Sequence, residues 1–279
     1  MMDAFRGEWL KLRKRPAVWV LGGILVCLVV LLTYGVLFLI IVTRPGDVQA
    51  GGGGLDSLKQ AIYPSNFVVA VLSGGGGGFA GAIALILGAL SFGSEYSWAT
   101  LKTIFTQRPA RLEVFAAKAL ALAAVLAVYD LVIFVAGAAV SSLVGAYFGH
   151  LTPWPSLVTV FEGLLAGWLV LAVWASLGTV LSVLFRQAGL AIGLGLVYSL
   201  AVEGILFGIL GQFSWIKSIE RAFPGANASA LIQALSTQPR SPQNPEPVVG
   251  ALQAIGVLLV YLALFLALSG LTLRRRDVT

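Results

Sequence analysis

Residues 17–42 read AVWVLGGILVCLVVLLTYGVLFLIIV, without one charged side chain. An α-helix rises 1.5 Å per residue, so about 20 apolar residues cross the roughly 30 Å hydrocarbon layer of a bilayer. This run is longer than that. Arg13, Lys14, Arg15 and Pro16 precede it, and Thr43, Arg44 and Pro45 close it. The apolar core of a cleaved signal peptide is about 7–15 residues long and ends at small residues. The run therefore reads as an uncleaved membrane anchor.

The same pattern recurs along the chain. Charge-poor apolar stretches run from about 67 to 92, 114 to 148, 157 to 185, 189 to 210 and 248 to 273. Apolar residues make up 58% of the 279-residue chain and charged residues 11%, with a mean hydropathy of +0.94. Soluble domains are about half apolar and about a quarter charged, so lipid must be the solvent for most of this surface. The expected fold is an all-α integral membrane protein with six transmembrane helices, forming one domain over 1–279. Cys27 is the lone cysteine, which excludes an intrachain disulfide.

The net charge of +6 would suggest nucleic acid in a soluble protein. Here its distribution fits membrane orientation instead. With six spans both termini share a side, and that side holds Arg6, Lys11, Arg13, Lys14, Arg15, Lys102, Arg108, Arg111, Lys118, Arg186 and Arg274 to Arg276. The other side holds Arg44, Lys59, Lys217, Arg221 and Arg240. Basic loops stay cytoplasmic, which places both termini in the cytoplasm and makes the lipid bilayer a partner and nucleic acid not one.

Residues 1–16 form a separate element. Phe5, Trp9 and Leu12 recur at helical spacing, with Gly7, Lys11 and Lys14 roughly opposite. That is the pattern of a short helix lying on the bilayer surface and ended by Pro16; a plain basic flank is the other reading. Of the far-side connections, 44–66 contains Gly51 to Gly54 and reads as flexible. Residues 149–156 read as a tight turn, and 211–247 as an external loop with short interfacial helices, continuing through Pro224-Gly225 into one over Ala228–Leu235.

Several chemistries are excluded. The sequence has no GxxxxGK[ST] phosphate loop, and its single histidine, His150, and single cysteine cannot build a zinc site or a Cys/His cluster. No nucleophile, base and orienting group assemble. The chain is not expected to be an enzyme or to hold a cofactor of its own.

The connection between the second and third spans is the most informative polar stretch. Residues 93–113 read GSEYSWATLKTIFTQRPARLE. Leu101, Ile104 and Phe105 make one apolar face of a short helix from Thr100, and Pro109 stops it. Glu95 and Arg111 bracket the helix, placed to fix its angle through ion pairs with a partner or with each other. Such a helix can lie on lipid or plug into a groove of another protein.

Here the chain resembles the permease subunits of ABC type-2 transporters, small six-span bacterial exporters in particular. Their connection commonly reads EyrxGTlrxll…psRxxxxxxK. Glu95, Tyr96, Thr100, Leu101, Arg111 and Lys118 fall in register with it, with Ala99 in place of the usual glycine. EWLKLRKRP at 8–16 resembles the family's surface helix, and Phe223-Pro224-Gly225-Ala226 its LPxxA segment before the last span. The resemblance covers the whole chain as architecture and about 25 residues as motif. It implies a dimer of permeases, with this chain or a homologue as the second copy, on a dimer of separate ABC ATPase subunits that bind ATP and magnesium. It also implies a bacterial inner-membrane location. In that reading 93–113 is a coupling connection docked on the ATPase through Glu95, Tyr96, Thr100, Leu101, Ile104, Phe105 and Arg111. Substrate does not follow from it.

Three carboxylates fall within the spans: Asp130, Glu162 and Glu203. A charge in the bilayer costs about 2.5 kcal/mol or more, so each must face protein or water or take up a proton. They are candidates for a substrate pathway or for structural acids. Gly74/Gly78 and Gly77/Gly81 both read GxxxG, a spacing that lets helices approach closely, either at a dimer seam or hinge or within one bundle. Two other function classes stay open: a secondary transporter using the three carboxylates as proton sites, and a non-transporting membrane scaffold.

Overall fold

A computed structural model of the chain describes residues 2–43, 54–76, 79–97, 111–149, 153–206, 219–236, 247 and 249–275. Among them there is no strand. The helices are α1 (Met2–Lys14), α2 (Pro16–Thr43), α3 (Leu55–Ile62), α4 (Phe67–Gly76), α5 (Phe79–Ser97), α6 (Arg111–Tyr147), α7 (Leu157–Phe185), α8 (Ala188–Leu196, continued by a π-helical Val197–Leu206), α9 (Pro224–Ala234) and α10 (Ala251–Arg275). The protein is an all-α membrane protein.

Five of these helices, α2, α5, α6, α7 and α10, are long and apolar enough to cross a bilayer. The expected fifth span is helical from Ala188 to Leu206, and 207–210 lie outside the described residues. The expected second span is two helices, α4 and α5, with 77–78 undescribed between them. Asp130 lies within α6, whose backbone is one helix of 37 residues.

Local chemistry explains the ends. Pro16 lacks an N–H and has φ preset for a helix, so it ends α1 and opens α2. The Ser156 hydroxyl accepts from the Thr159 N–H at 3.1 Å and caps α7. At the other end Arg186 turns into the left-handed region at φ 54.

Two readings of the far-side segments need correction. Residues 44–66 are not simply flexible: Leu55, Leu58 and Ile62, on one helical face, form α3, and Ile62 is fully buried. The helix expected over Ala228–Leu235 begins earlier, at Pro224, because proline suits the first helical position. Residues 44–53, 150–152, 211–218 and 237–246 lie outside the described residues.

Helix α7 is the centre of the bundle, packed on α5 most extensively and also on α10, α8, α6 and α4. Glycines allow the backbones of α5 and α7 to touch. A methyl group at Gly88 would run into the Ala175 carbonyl, and one at Gly178 into that of Leu85. Without a hydrophobic drive between helices in lipid, such van der Waals contact is a main source of association. Ser176, Thr179 and Ser182 satisfy their hydroxyls on α7's own carbonyls at 2.7–3.0 Å, as a dry bundle core requires. The exposed apolar side chains, among them Val20, Leu31, Val135, Leu157 and Leu252, form the surface that lipid would cover.

Candidate functional site

Where α5 ends and α6 begins, four charged side chains from three helices meet. Glu95 lies near the end of α5, Lys118 in the second turn of α6, and Glu8 and Lys11 one turn apart on α1. Lys118 is ion-paired with Glu95 and lies 3.7 Å from Glu8. Lys11 lies 2.6 Å from Glu8 and 3.6 Å from Glu95. The signs alternate around the cluster, and its net charge is zero.

Only Lys11 reaches water, with 44% of its side chain exposed, against 4–8% for the other three. Burying an ion costs several kcal/mol unless it is well paired, so each of these charges depends on the others. Phe92 and Phe115 close the apolar side, their ring centroids 5.5 Å apart, and the Lys118 ammonium lies 5.1 Å from the Phe92 centroid. Tyr96 packs on this small cluster with Val183 and Leu273 beneath.

The sequence reading left Glu95 to pair with Arg111 or with another chain. The structure brings Lys118 and Lys11 to it and turns its carboxylate inward. The Arg111 backbone opens α6, while its side chain is not among the described ones. Thr100, Leu101, Ile104 and Phe105, the expected docking face, lie outside the described residues.

The N-terminal helix forms as α1, and it rests on α6. Leu12 is buried, and Phe5 and Trp9 are half-buried with centroids 6.4 Å apart. Lys14 is exposed. Glu8 was missed by the sequence reading, although a signal for it exists. It stands three residues after Phe5 and four before Leu12, so it shares their face. An acid on the apolar face of a short helix needs a buried cation, and Lys118 supplies it.

The three intramembrane carboxylates have separate surroundings. Asp130 is 2% exposed and lies against Gly167 of α7. Glu162, in the second turn of α7, is exposed. Glu203 accepts a hydrogen bond from the Tyr198 hydroxyl at 2.6 Å, and its other oxygen lies against Gly225 in the first turn of α9. Tyr198 and Glu203 are five residues apart. An α-helix would point them apart, but a π-helix bonds i to i+5 and brings them onto one face. No grouping of acids, histidine or cysteine suited to a metal is found among the described residues.

Of the glycines expected to pack helices, Gly81 meets the Trp174 indole of α7. Gly74 lies in α4, and Gly77 and Gly78 are outside the described residues. Closer approaches than that at Gly81 are found at glycines not singled out, among them Gly88, Gly93, Gly137, Gly163, Gly167 and Gly178.

The model of the ABC-2 family transporter protein matches residues 2–278. The chain belongs to this ABC-2 transporter family. It is a multi-pass membrane protein of a transport permease family, as its apolar helices require. No curated protein matches the chain. The ion cluster ties α1 to the end of α5 and the start of α6, on either side of the connection between them.

Proposed function

We propose that this chain is the membrane-spanning subunit of an ATP-driven exporter in a bacterial inner membrane, with both termini cytoplasmic. Two copies, or one copy and a homologous permease, enclose the path. Separate ABC ATPase subunits, carrying ATP and magnesium, dock on the connection within 93–113. Leu101, Ile104 and Phe105 supply the apolar docking face. Glu95 and Tyr96 hold the base of the connection from inside.

The observation that carries this reading is the buried cluster of Glu8, Lys11, Glu95 and Lys118 in a chain of the ABC-2 family. Transmitting force from a soluble motor requires a stiff joint. Here the end of α5, the start of α6 and α1 are locked to one another by charges that cannot separate cheaply in a buried setting. A push on the connection would then reach α5 and α6 as rigid-body motion. The missing phosphate loop fits a motor on another chain. Glu203, bonded to Tyr198 and set against α9, has a structural task near the far-side helix. Asp130 and Glu162 remain candidates for lining the path.

The test is reconstitution in vesicles. With the ATPase of its operon present, this chain should support ATP-dependent efflux and should change the ATPase rate. Transport by the purified single chain under a proton gradient alone would point to a secondary transporter instead. ATP hydrolysis indifferent to the chain and to every compound tried would point to a scaffold.

A further inference from the structure

We infer that the groove between α2 and α6 is a binding site for an acyl chain of an anionic phospholipid, whose phosphate is held by Arg13 and Lys14. The groove has a volume of about 600 Å³ and runs from Val18 and Trp19 to Leu31 along α2, with Val128, Tyr129 and Val132 of α6 as its other wall. Its size falls in the range of small-molecule sites, about 300–1,000 Å³.

Its depth matches one leaflet. Val18 to Leu31 is thirteen helical steps, about 20 Å at 1.5 Å per residue, about half of the roughly 40–45 Å bilayer with its headgroup regions. Its walls are apolar along this length. The one hydroxyl in the lining, on Tyr129, already donates to the Val18 carbonyl. Gly22 lets the Tyr129 ring lie flat on α2, and Gly23 leaves open space, since a methyl group there would meet nothing within 4 Å. A chain without polar groups suits this floor.

The mouth is different. Trp19 lines it, is 66% exposed, and its indole N–H donates to the Arg13 carbonyl at 2.8 Å. That bond holds the end of α1 at the entrance. Arg13 and Lys14 are exposed there, and an indole at this level is the usual marker of the headgroup zone. Apolar walls one leaflet deep below two exposed cations complement an anionic lipid, whereas a transmembrane helix of another subunit would leave the cations without partners. This inference does not depend on ATP coupling.

The test uses the purified full chain in mild detergent with phosphatidylglycerol or phosphatidylcholine added. Native mass spectrometry counts retained lipid, and maleimide labelling of Cys27, which lines the groove, reports its occupancy. Phosphatidylglycerol should be retained in preference and should slow Cys27 labelling. The R13Q/K14Q variant should bind it about thirty-fold more weakly, at about 1 kcal/mol per basic residue and 1.4 kcal/mol per tenfold. Its phosphatidylcholine binding should not change. Gly23→Phe should fill the groove and abolish retention of both lipids; a melting temperature within a few degrees of the parent would show that it is folded. Equal retention of the two lipids, or phosphatidylglycerol binding untouched by R13Q/K14Q, would overturn the inference. So would Cys27 protection that follows protein concentration and ignores lipid, because a second copy would then be the occupant.

Discussion

Lys118 of α6 is ion-paired with Glu95 of α5 beneath the surface helix α1, although the undescribed part of the connection separates the two in sequence. The cluster around this pair is asymmetric. Removing Lys118 takes the buried cation away from both Glu8 and Glu95, whereas neutralising Glu95 leaves Lys118 beside Glu8. Lys118→Met should therefore be the more damaging change, in the range of about 3–5 kcal/mol for an uncompensated buried charge. Glu95→Gln should be clearly milder. Thermal melting in detergent reads the order, and equal losses would mean that Glu8 does not share Lys118.

The close contact of α5 with α7 makes a prediction at Gly88. Gly88→Ala pushes a methyl group into the Ala175 carbonyl, and forced overpacking costs about 1–3 kcal/mol. Gly23→Ala points into open space and should leave melting unchanged. A Gly88→Ala protein as stable as the parent would show that the two backbones are not in contact.

Glu203 and Gly225 should behave as one unit. Gly225→Ala places a methyl group where the carboxylate lies, and should loosen 219–236 toward limited proteolysis. Once Glu203→Ala has removed the carboxylate, adding Gly225→Ala should do no further harm. Additive effects in this double-mutant cycle would separate the residues.

These particulars show what sequence can and cannot reveal. The apolar run at 157–185 matches α7 at both ends, since apolar length is a one-dimensional property. Pro16 marks the α1–α2 joint for the same reason. Glu95 and Lys118 belong to a motif, but nothing in their spacing says that they pair with each other rather than with Arg111 or a partner. That depends on how far α1 folds back over α6. The GxxxG pairs at 74–81 are visible, whereas Gly88 and Gly178 belong to no GxxxG pair. Their partners are backbone atoms of another helix, which leave no mark in a local pattern. Gly163 and Gly167 do form a GxxxG pair, and α6 fits against it at Phe134 and Asp130. Tyr198 and Glu203 look unrelated at α-helical spacing, and only the π-helical turn joins them.

The central claim is that the connection carries force from a separate ATPase, and co-purification of that ATPase with a double variant tests it most directly. Leu101→Asp with Ile104→Asp would bury two charges in the docking contact while leaving every membrane-spanning helix intact. Loss of even about 3 kcal/mol weakens binding more than a hundredfold. The account predicts a folded, membrane-inserted permease that no longer retains its ATPase and no longer supports ATP-dependent efflux. A double variant that still holds the ATPase and still transports would contradict it.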